Sequence, residues 1–241
     1  MSLVVRAAVI TDPGLVRTNN EDAAYAGRQL FAVADGIGGL PAGEVASEIA
    51  IRGLTALDEQ FHGAEPLRAL RKAVNEANDE IRRVAESDPA NDGMGTTVTA
   101  LLLSGDRFGL LHIGDSRAYL LRDGVLSQLT RDDTYVQALV DQGLLTAEAA
   151  RNHSQRSLVT RAVHGEHIAP TCQMVPVRAG DRYLLCSDGL SDFVTDGAIG
   201  QTLLSYPESP ECAEQLVKLA LQAGAPDNVT VLIADVTDVA G

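Results

Sequence analysis

The sequence predicts an α+β fold in which antiparallel sheets are covered by helices. Three observations point to it: six short apolar runs rich in β-branched residues, two tight Gly–Asp turns beside such runs, and three longer amphipathic stretches. In chain order, Leu30 to Ala34 is the first strand. From Gly43 to Phe61, Val45, Ile49, Leu54 and Leu57 recur at helical spacing. Pro66 to Ala85 repeats the pattern with Leu67, Leu70, Val74, Ala77, Ile81 and Val84, and charged residues fill its other face. Pro66 suits a first helical turn, and Asp88-Pro89 punctuates the end. Thr97 to Leu103 and Arg107 to Ile113 flank Ser104-Gly105-Asp106, and Ala118 to Leu121 runs into Arg122-Asp123-Gly124; both linkers read as hairpin turns, hence antiparallel pairing. Asp133 to His167 is polar and helix-leaning, either a flap or a surface excursion. Arg182 to Cys186 is a strand, Pro210 to Ala223 a third amphipathic helix, and Thr230 to Val236 the last strand. An early helical pair, a hairpin-rich middle and a late helix are what sheets with covering helices require.

The 241 residues contain no linker-like stretch and no repeat, so a single domain over 1–241 is expected. With 45% hydrophobic and 22% charged residues, a disordered or collagenous chain is excluded. Aromatics are only 4% and Trp is absent, so Leu, Val, Ile and Ala must build the core. Acids outnumber Lys and Arg 33 to 19, and a net charge of −14 repels phosphate backbones and anionic lipid. Neither nucleic acid nor a membrane is therefore expected as partner. No run of 18 apolar residues exists, and the apolar N-terminal run is too short for a signal peptide. Cys172, Cys186 and Cys212 cannot all pair and form no CxxC; they read as core thiols in a reducing, cytoplasmic compartment. The chain stops five residues past the last expected strand, which leaves a free cytoplasmic protein, read as a monomer, or a piece of a longer one.

Twenty of the acids are Asp, and their placement matters more than their number. Four apolar runs end in or adjoin an Asp beside a small residue: Asp35-Gly36, Gly114-Asp115-Ser116, Ser187-Asp188-Gly189 with Asp192 four residues on, and Asp227-Asn228 before the last strand. One Asp-Gly after a strand is an ordinary turn. Four at strand ends suggest carboxylates held on rigid elements, where they repel unless protonated or joined by cations. Hard divalent ions with oxygen ligands, Mg²⁺ or Mn²⁺, answer that need, and no His pair or Cys cluster offers a soft alternative.

Eight blocks, in order, carry a resemblance: Gly14 to Asp22 (GLVRTNNED), Ala34 to Gly39 (ADGIGG), Gly43 to Ser47 (GEVAS), Met94 to Thr97 (MGTT), Gly114 to Arg117 (GDSR), Leu158 to Ala162 (LVTRA), Ser187 to Asp192 (SDGLSD) and Asp227 to Thr230 (DNVT). Through them the chain resembles the metal-dependent protein phosphatases of the type 2C class, the PPM family, in their bacterial serine/threonine branch. The resemblance implies a four-layer α-β-β-α sandwich of two antiparallel sheets flanked by helices, with a flap over about 133–167. It implies two core Mn²⁺ or Mg²⁺ ions and a weaker third. Asp35 matches the bridging ligand, with the Gly36 carbonyl on the second ion; Asp188 and Asp227 match ligands of the first. Asp115 and Asp188, with Asp192 nearby, match the third. Glu21 and Asp22 match an acidic pair at the cleft, expected to reach the ions through water or to stand behind their ligands, and Arg17 matches the phosphate-gripping arginine. Asp35, Asp188 and Arg17 would thus carry the chemistry.

The implied reaction is hydrolysis of phosphoserine and phosphothreonine in proteins, opposing a cognate Ser/Thr kinase. Two ions about 3.5–4 Å apart would acidify a bridging water, whose hydroxide attacks phosphorus in line. Arg17 would hold two phosphate oxygens in its planar fork. One departure stands out: eukaryotic members carry a His, proposed as general acid, where this chain has Ile37. Two rival functions remain: a silent phospho-sensor on the same fold, disfavoured by intact Asp35, Asp188 and Asp227, and hydrolysis of some other phosphoester.

Other residues read as structural. Thr96 and Thr97 are expected to bond the ligand carboxylates through their hydroxyls, Ser116 to make a turn hydrogen bond, and Arg117 to pair with an acidic neighbour. Asp132 and Asp133 are expected to cap a helix starting near Thr134. His164 and His167 lack further ligands, and His153 is at most a flap contact.

Overall fold

The computed structural model describes residues 3–37 and 42–238. Gly38 and Gly39 of the ADGIGG block lie outside them. In order, the elements are β1 (Leu3–Asp12), β2 (Asp22–Ala26), β3 (Leu30–Ile37), α1 (Ala42–Gln60), α2 (Pro66–Ser87), β4 (Gly95–Thr96), β5 (Val98–Ser104), β6 (Arg107–Ile113), β7 (Arg117–Arg122), β8 (Val125–Gln128), α3 (Tyr135–Asp141), α4 (Ala147–Arg151), β9 (Thr171–Pro176), β10 (Arg182–Cys186), α5 (Asp188–Ser191), α6 (Asp196–Ser205), α7 (Ser209–Gln222) and β11 (Val229–Asp238). One sheet runs β1-β11-β10-β7-β8. The other runs β2-β3-β5-β6-β9, with β4 added on β3. Every pairing is antiparallel.

The period-two alternation of the strands builds four layers. On β3, Phe31 and Val33 face the other sheet, while Leu30, Ala32 and Ala34 face α1 and α2. On β10, Tyr183 and Leu185 point between the sheets, and Leu184 and Cys186 point to α7. Phe31, Phe108 and Tyr183 stack edge to face between the sheets, with centroids 5.9 and 4.9 Å apart. This is the expected α-β-β-α sandwich.

All six expected strands and three helices are present within a few residues of their predicted ends. The Asp123-Gly124 turn has both residues at positive φ, 52° and 78°, as a two-residue hairpin needs. The helix after Thr134 corrects one reading: Thr134 itself is the cap, its Oγ1 accepting from Gln137 N at 3.2 Å. Asp132 instead takes the Arg117 guanidinium, and Asp133 accepts from Gly114 N at 3.0 Å and from Arg161. A charged side chain reached by an arginine is drawn away from capping, leaving the hydroxyl beside it to do so. Cys186 and Cys212 are buried, but Cys172 on edge strand β9 is half-buried, its sulfur accepting from Arg71 Nε at 3.1 Å.

Candidate metal centre

Asp35, Asp115, Asp188 and Asp227 come to the site at or within two residues of a strand end. Asp35 sits near the end of β3, directly opposite Asp22 on β2. Its backbone is pinned on both sides: Asp35 N donates to Thr97 Oγ1 at 2.9 Å, and its carbonyl accepts from Thr96 Oγ1 and Thr97 N, both at 2.9 Å. The threonine hydroxyls therefore hold the main chain of Asp35, not a ligand carboxylate as expected. Pairing of β4 with β3 puts them beside that peptide. Ser116 likewise bonds Thr97 Oγ1, at 2.6 Å, instead of closing its own turn. At Gly36 any side chain would strike the carbonyls of Glu21 and Gly43, so only glycine lets the main chain form this wall.

Asp115 follows β6 through Gly114, whose φ of 109° and contact with Thr97 exclude a side chain. Asp188 opens α5 two residues after β10, and Asp227 precedes β11. Arg17, Glu21, Asp35, Gly36, Asp115, Asp188 and Asp227 line one cleft of ≈ 300 Å³, together with Ile37, Thr97, Ser157, Leu158 and Val159. Asp22 stands behind this wall: Ser187 Oγ donates to its Oδ2 at 2.7 Å, while its buried Oδ1 has no partner. Asp192 lies in an adjoining cavity of ≈ 380 Å³ under α3 and α4, which shares Asp115 and Asp188 with the cleft. It pairs there with Arg156 at 3.2 Å. His153 lines neither cavity.

Electrostatics set the character of the cleft. Desolvation pushes Asp35 well above the usual carboxylate range, and the charges of Asp22, Asp188, Asp115 and Asp227 push it further. Asp188 is raised likewise, by desolvation and then by Asp115, Asp192, Asp227 and Asp22. Asp115 is raised to about 7, by desolvation and then by Asp132 and Asp192. Desolvation lifts Asp22 to about 6 against the hydroxyls of Thr230 and Ser187. Arg17 donates to Asp227 Oδ2 at 2.8 Å, a bond that raises the guanidinium pKa further. Among the described residues no three Asp, Glu, His or Cys side chains already form a closed ligand set. The donors nevertheless fit hard divalent cations: mutually repelling carboxylates from separate segments, an unpartnered Asp22 oxygen, and a glycine main chain laid bare in the wall.

Sequence reasoning gave no role to Asn228. Its Oδ1 accepts from Glu21 N at 2.8 Å, and its Nδ2 donates to Pro13 O and Asn19 O at 3.0 and 2.9 Å. It thereby ties the loop bearing Arg17 to the strand end bearing Asp227. Its place beside Asp227 in the DNVT block was the signal. Ser187, which steadies Asp22, stood in the SDGLSD block in the same way.

A two-sheet sandwich with aspartates from separate strand ends and an arginine on one cleft defines a class, and the chain belongs to the protein phosphatase 2C family, whose model matches residues 16–223. It is 55% identical over 238 residues to the serine/threonine protein phosphatase PstP of Mycobacterium tuberculosis, covering 99% of this chain and 46% of that protein. The chain thus spans about half the length of that relative. It is 36% identical to the serine/threonine phosphatase stp of Listeria monocytogenes, over 93% of both chains. The crystal structure of the PstP catalytic domain in complex with two manganese ions superposes with a TM-score of 0.94 at 53% identity, covering 98% of this chain and 100% of that one.

Proposed function

We propose that the chain is a metal-dependent phosphatase acting on phosphoserine and phosphothreonine in proteins, with 1–241 as one catalytic domain and 133–167 as its flap. The observation that carries this is the gathering of Asp35, Asp115, Asp188 and Asp227, from four segments, on one cleft with Arg17. Asp35, the Gly36 carbonyl, Asp188 and Asp227 would hold two cations, Mn²⁺ or Mg²⁺, and Asp115, Asp188 and Asp192 a weaker third. Bound there, the cations supply Lewis acidity and an activated water near neutral pH. Glu21, on the cleft wall, would orient solvent around them, and Asp22, behind the wall, would steady the strand that carries it. Arg17 has donors left beyond the one on Asp227, and its half-exposed fork could donate to two phosphate oxygens. The Asn228 staple keeps that fork in register with Asp227. Ile37 offers no proton to the leaving oxygen.

Its substrates would be phosphorylated proteins, and its counterpart a Ser/Thr kinase. No described helix is long and apolar enough to cross a membrane, and the three free thiols suit a reducing, cytoplasmic setting. The test is hydrolysis of a phosphothreonine peptide with Mn²⁺ and with EDTA, beside Asp188→Ala. Turnover that needs Mn²⁺ and vanishes in the variant supports the reading; full turnover in EDTA removes it.

A further inference from the structure

Of nine exposed large hydrophobics among the described residues, four belong to the two segments that reach the cleft: Leu15 and Val16 on one, Leu158 and Tyr135, main-chain bonded to it, on the other. Leu158 lines the cleft itself, and Leu15 and Val16 directly precede Arg17 on its wall. Scattered apolar residues need no explanation, but a group at the rim of a site does.

Both segments are held rigidly. Leu15 N donates to Ala225 O at 2.9 Å, Gly14 N to Asp12 Oδ1 at 2.8 Å, and the positive φ of Gly14, 74°, seats the turn against the main chain of Ala225 and Asp227. On the flap, Tyr135 N donates to Leu158 O at 2.9 Å and Thr160 N to Asp133 O at 2.7 Å, while the Asp133 carboxylate accepts from Gly114 N, beside Asp115. Leu15 and Val16 stand within two residues of Arg17, and Leu158 is bonded to the segment that Asp133 ties to Gly114, so these apolar groups are pre-organised for contact, which lowers the ordering cost of binding.

We propose that these side chains select substrate sequence: Leu15 and Val16 on one segment, and Leu158 on the other, receive apolar residues two positions to either side of the phosphorylated one. The inference rests on the phosphatase reading and adds its specificity. An extended peptide alternates its side chains between two faces, so residues two positions from the phosphoresidue, about 6.6 Å along the axis, share its face and meet the rim while the phosphate reaches Arg17. Acidic flanks would face the carboxylates of Glu21, Asp35, Asp115, Asp188 and Asp227 and a chain of net charge −14.

Three phosphothreonine peptides of equal length, with Leu and Val, Ser and Gly, or Arg at the positions two residues to either side, are compared with Mn²⁺ present. The expected order puts the Leu/Val peptide about tenfold ahead of the Ser/Gly peptide in kcat/KM, mainly through KM. Calorimetry with non-hydrolysable phosphonate versions should give the same order. The double variant Val16→Ser, Leu158→Ser should bring the ratio close to one. Leu144→Ser, an exposed flap leucine off the cleft wall, should keep it. Equal kcat/KM for the Leu/Val and Ser/Gly peptides, preference for the Arg peptide, a ratio that survives the double variant, or one lost in Leu144→Ser would each overturn the inference while leaving the phosphatase reading intact. No turnover of any peptide would instead sink the phosphatase reading and this inference with it.

Discussion

Arg17 and Asp227, 210 residues apart in sequence, hold each other through a 2.8 Å bond from Nη2 to Oδ2. The group proposed to grip phosphate is thereby tied to one proposed to hold a cation. Arg17→Ala should lower kcat/KM for p-nitrophenyl phosphate by about a hundredfold. Arg17→Lys should recover only part, because an ammonium lacks the planar fork. Steady-state kinetics checks both, and an Arg17→Ala enzyme with unchanged kcat/KM would contradict the role.

The same relationship depends on Asn228, which is buried and bonded to Glu21, Pro13 and Asn19. Asn228→Ala should cost about 1–3 kcal/mol in stability, since buried backbone groups lose their partners. It should also raise KM more than it lowers the affinity for Mn²⁺. Urea unfolding and metal titration separate the two effects; a variant with ordinary stability and KM would show that the staple is idle.

Crowded carboxylates strain the cleft, and bound cations would relieve that strain. Asp188→Asn should therefore stabilise the metal-free protein by about 1–4 kcal/mol at pH 8, while Mn²⁺, by binding the folded state, should raise the melting temperature of the unaltered protein more than that of the variant. Thermal melts with Mn²⁺ and with EDTA decide it. A metal-free variant no more stable than its parent would mean the charges do not strain one another.

Away from the site, Asp58 on α1 holds the link between β2 and β3, accepting from the backbone N–H groups of Arg28, Gln29 and Leu30 at 2.8–3.1 Å and from Tyr25 Oη at 3.3 Å. Desolvation would raise its pKa, but these bonds prevail and lower it. A lowered carboxylate contributes stability that is present above its unfolded value near 3.8 and lost as pH falls through the folded value. Asp58→Asn should therefore be less stable than its parent at pH 7 by about 1–3 kcal/mol, with the gap closing below pH 4. A gap independent of pH would refute the linkage.

What the sequence made legible was whatever repeats with a period or stands beside a glycine. The buried strands β3, β5, β6 and β10 and the amphipathic α1, α2 and α7 could be read directly. Strand β1 could not: it is a sheet edge with only Val5 buried, so its pattern fades. Strand β2 (DAAYA) lacks β-branched residues, and α6 carries Gly197 and Gly200, poor helix formers. The carboxylates could be found because each lies at a strand end beside a small residue. Their supports were harder, because a hydrogen bond such as Thr96 to the Asp35 carbonyl, or Ser187 to Asp22, joins residues 61 or 165 positions apart. Nothing local in Asp133 announces that it serves Gly114 and Arg161 instead of the helix beside it.

Calorimetric titration of Mn²⁺ into the unaltered protein and into Asp35→Asn and Asp188→Ala tests the metal cradle most directly. Two well-bound ions per chain in the former, with at least one lost in each variant, is the result this geometry predicts. Equal binding in all three proteins, or no binding by any of them, would contradict it.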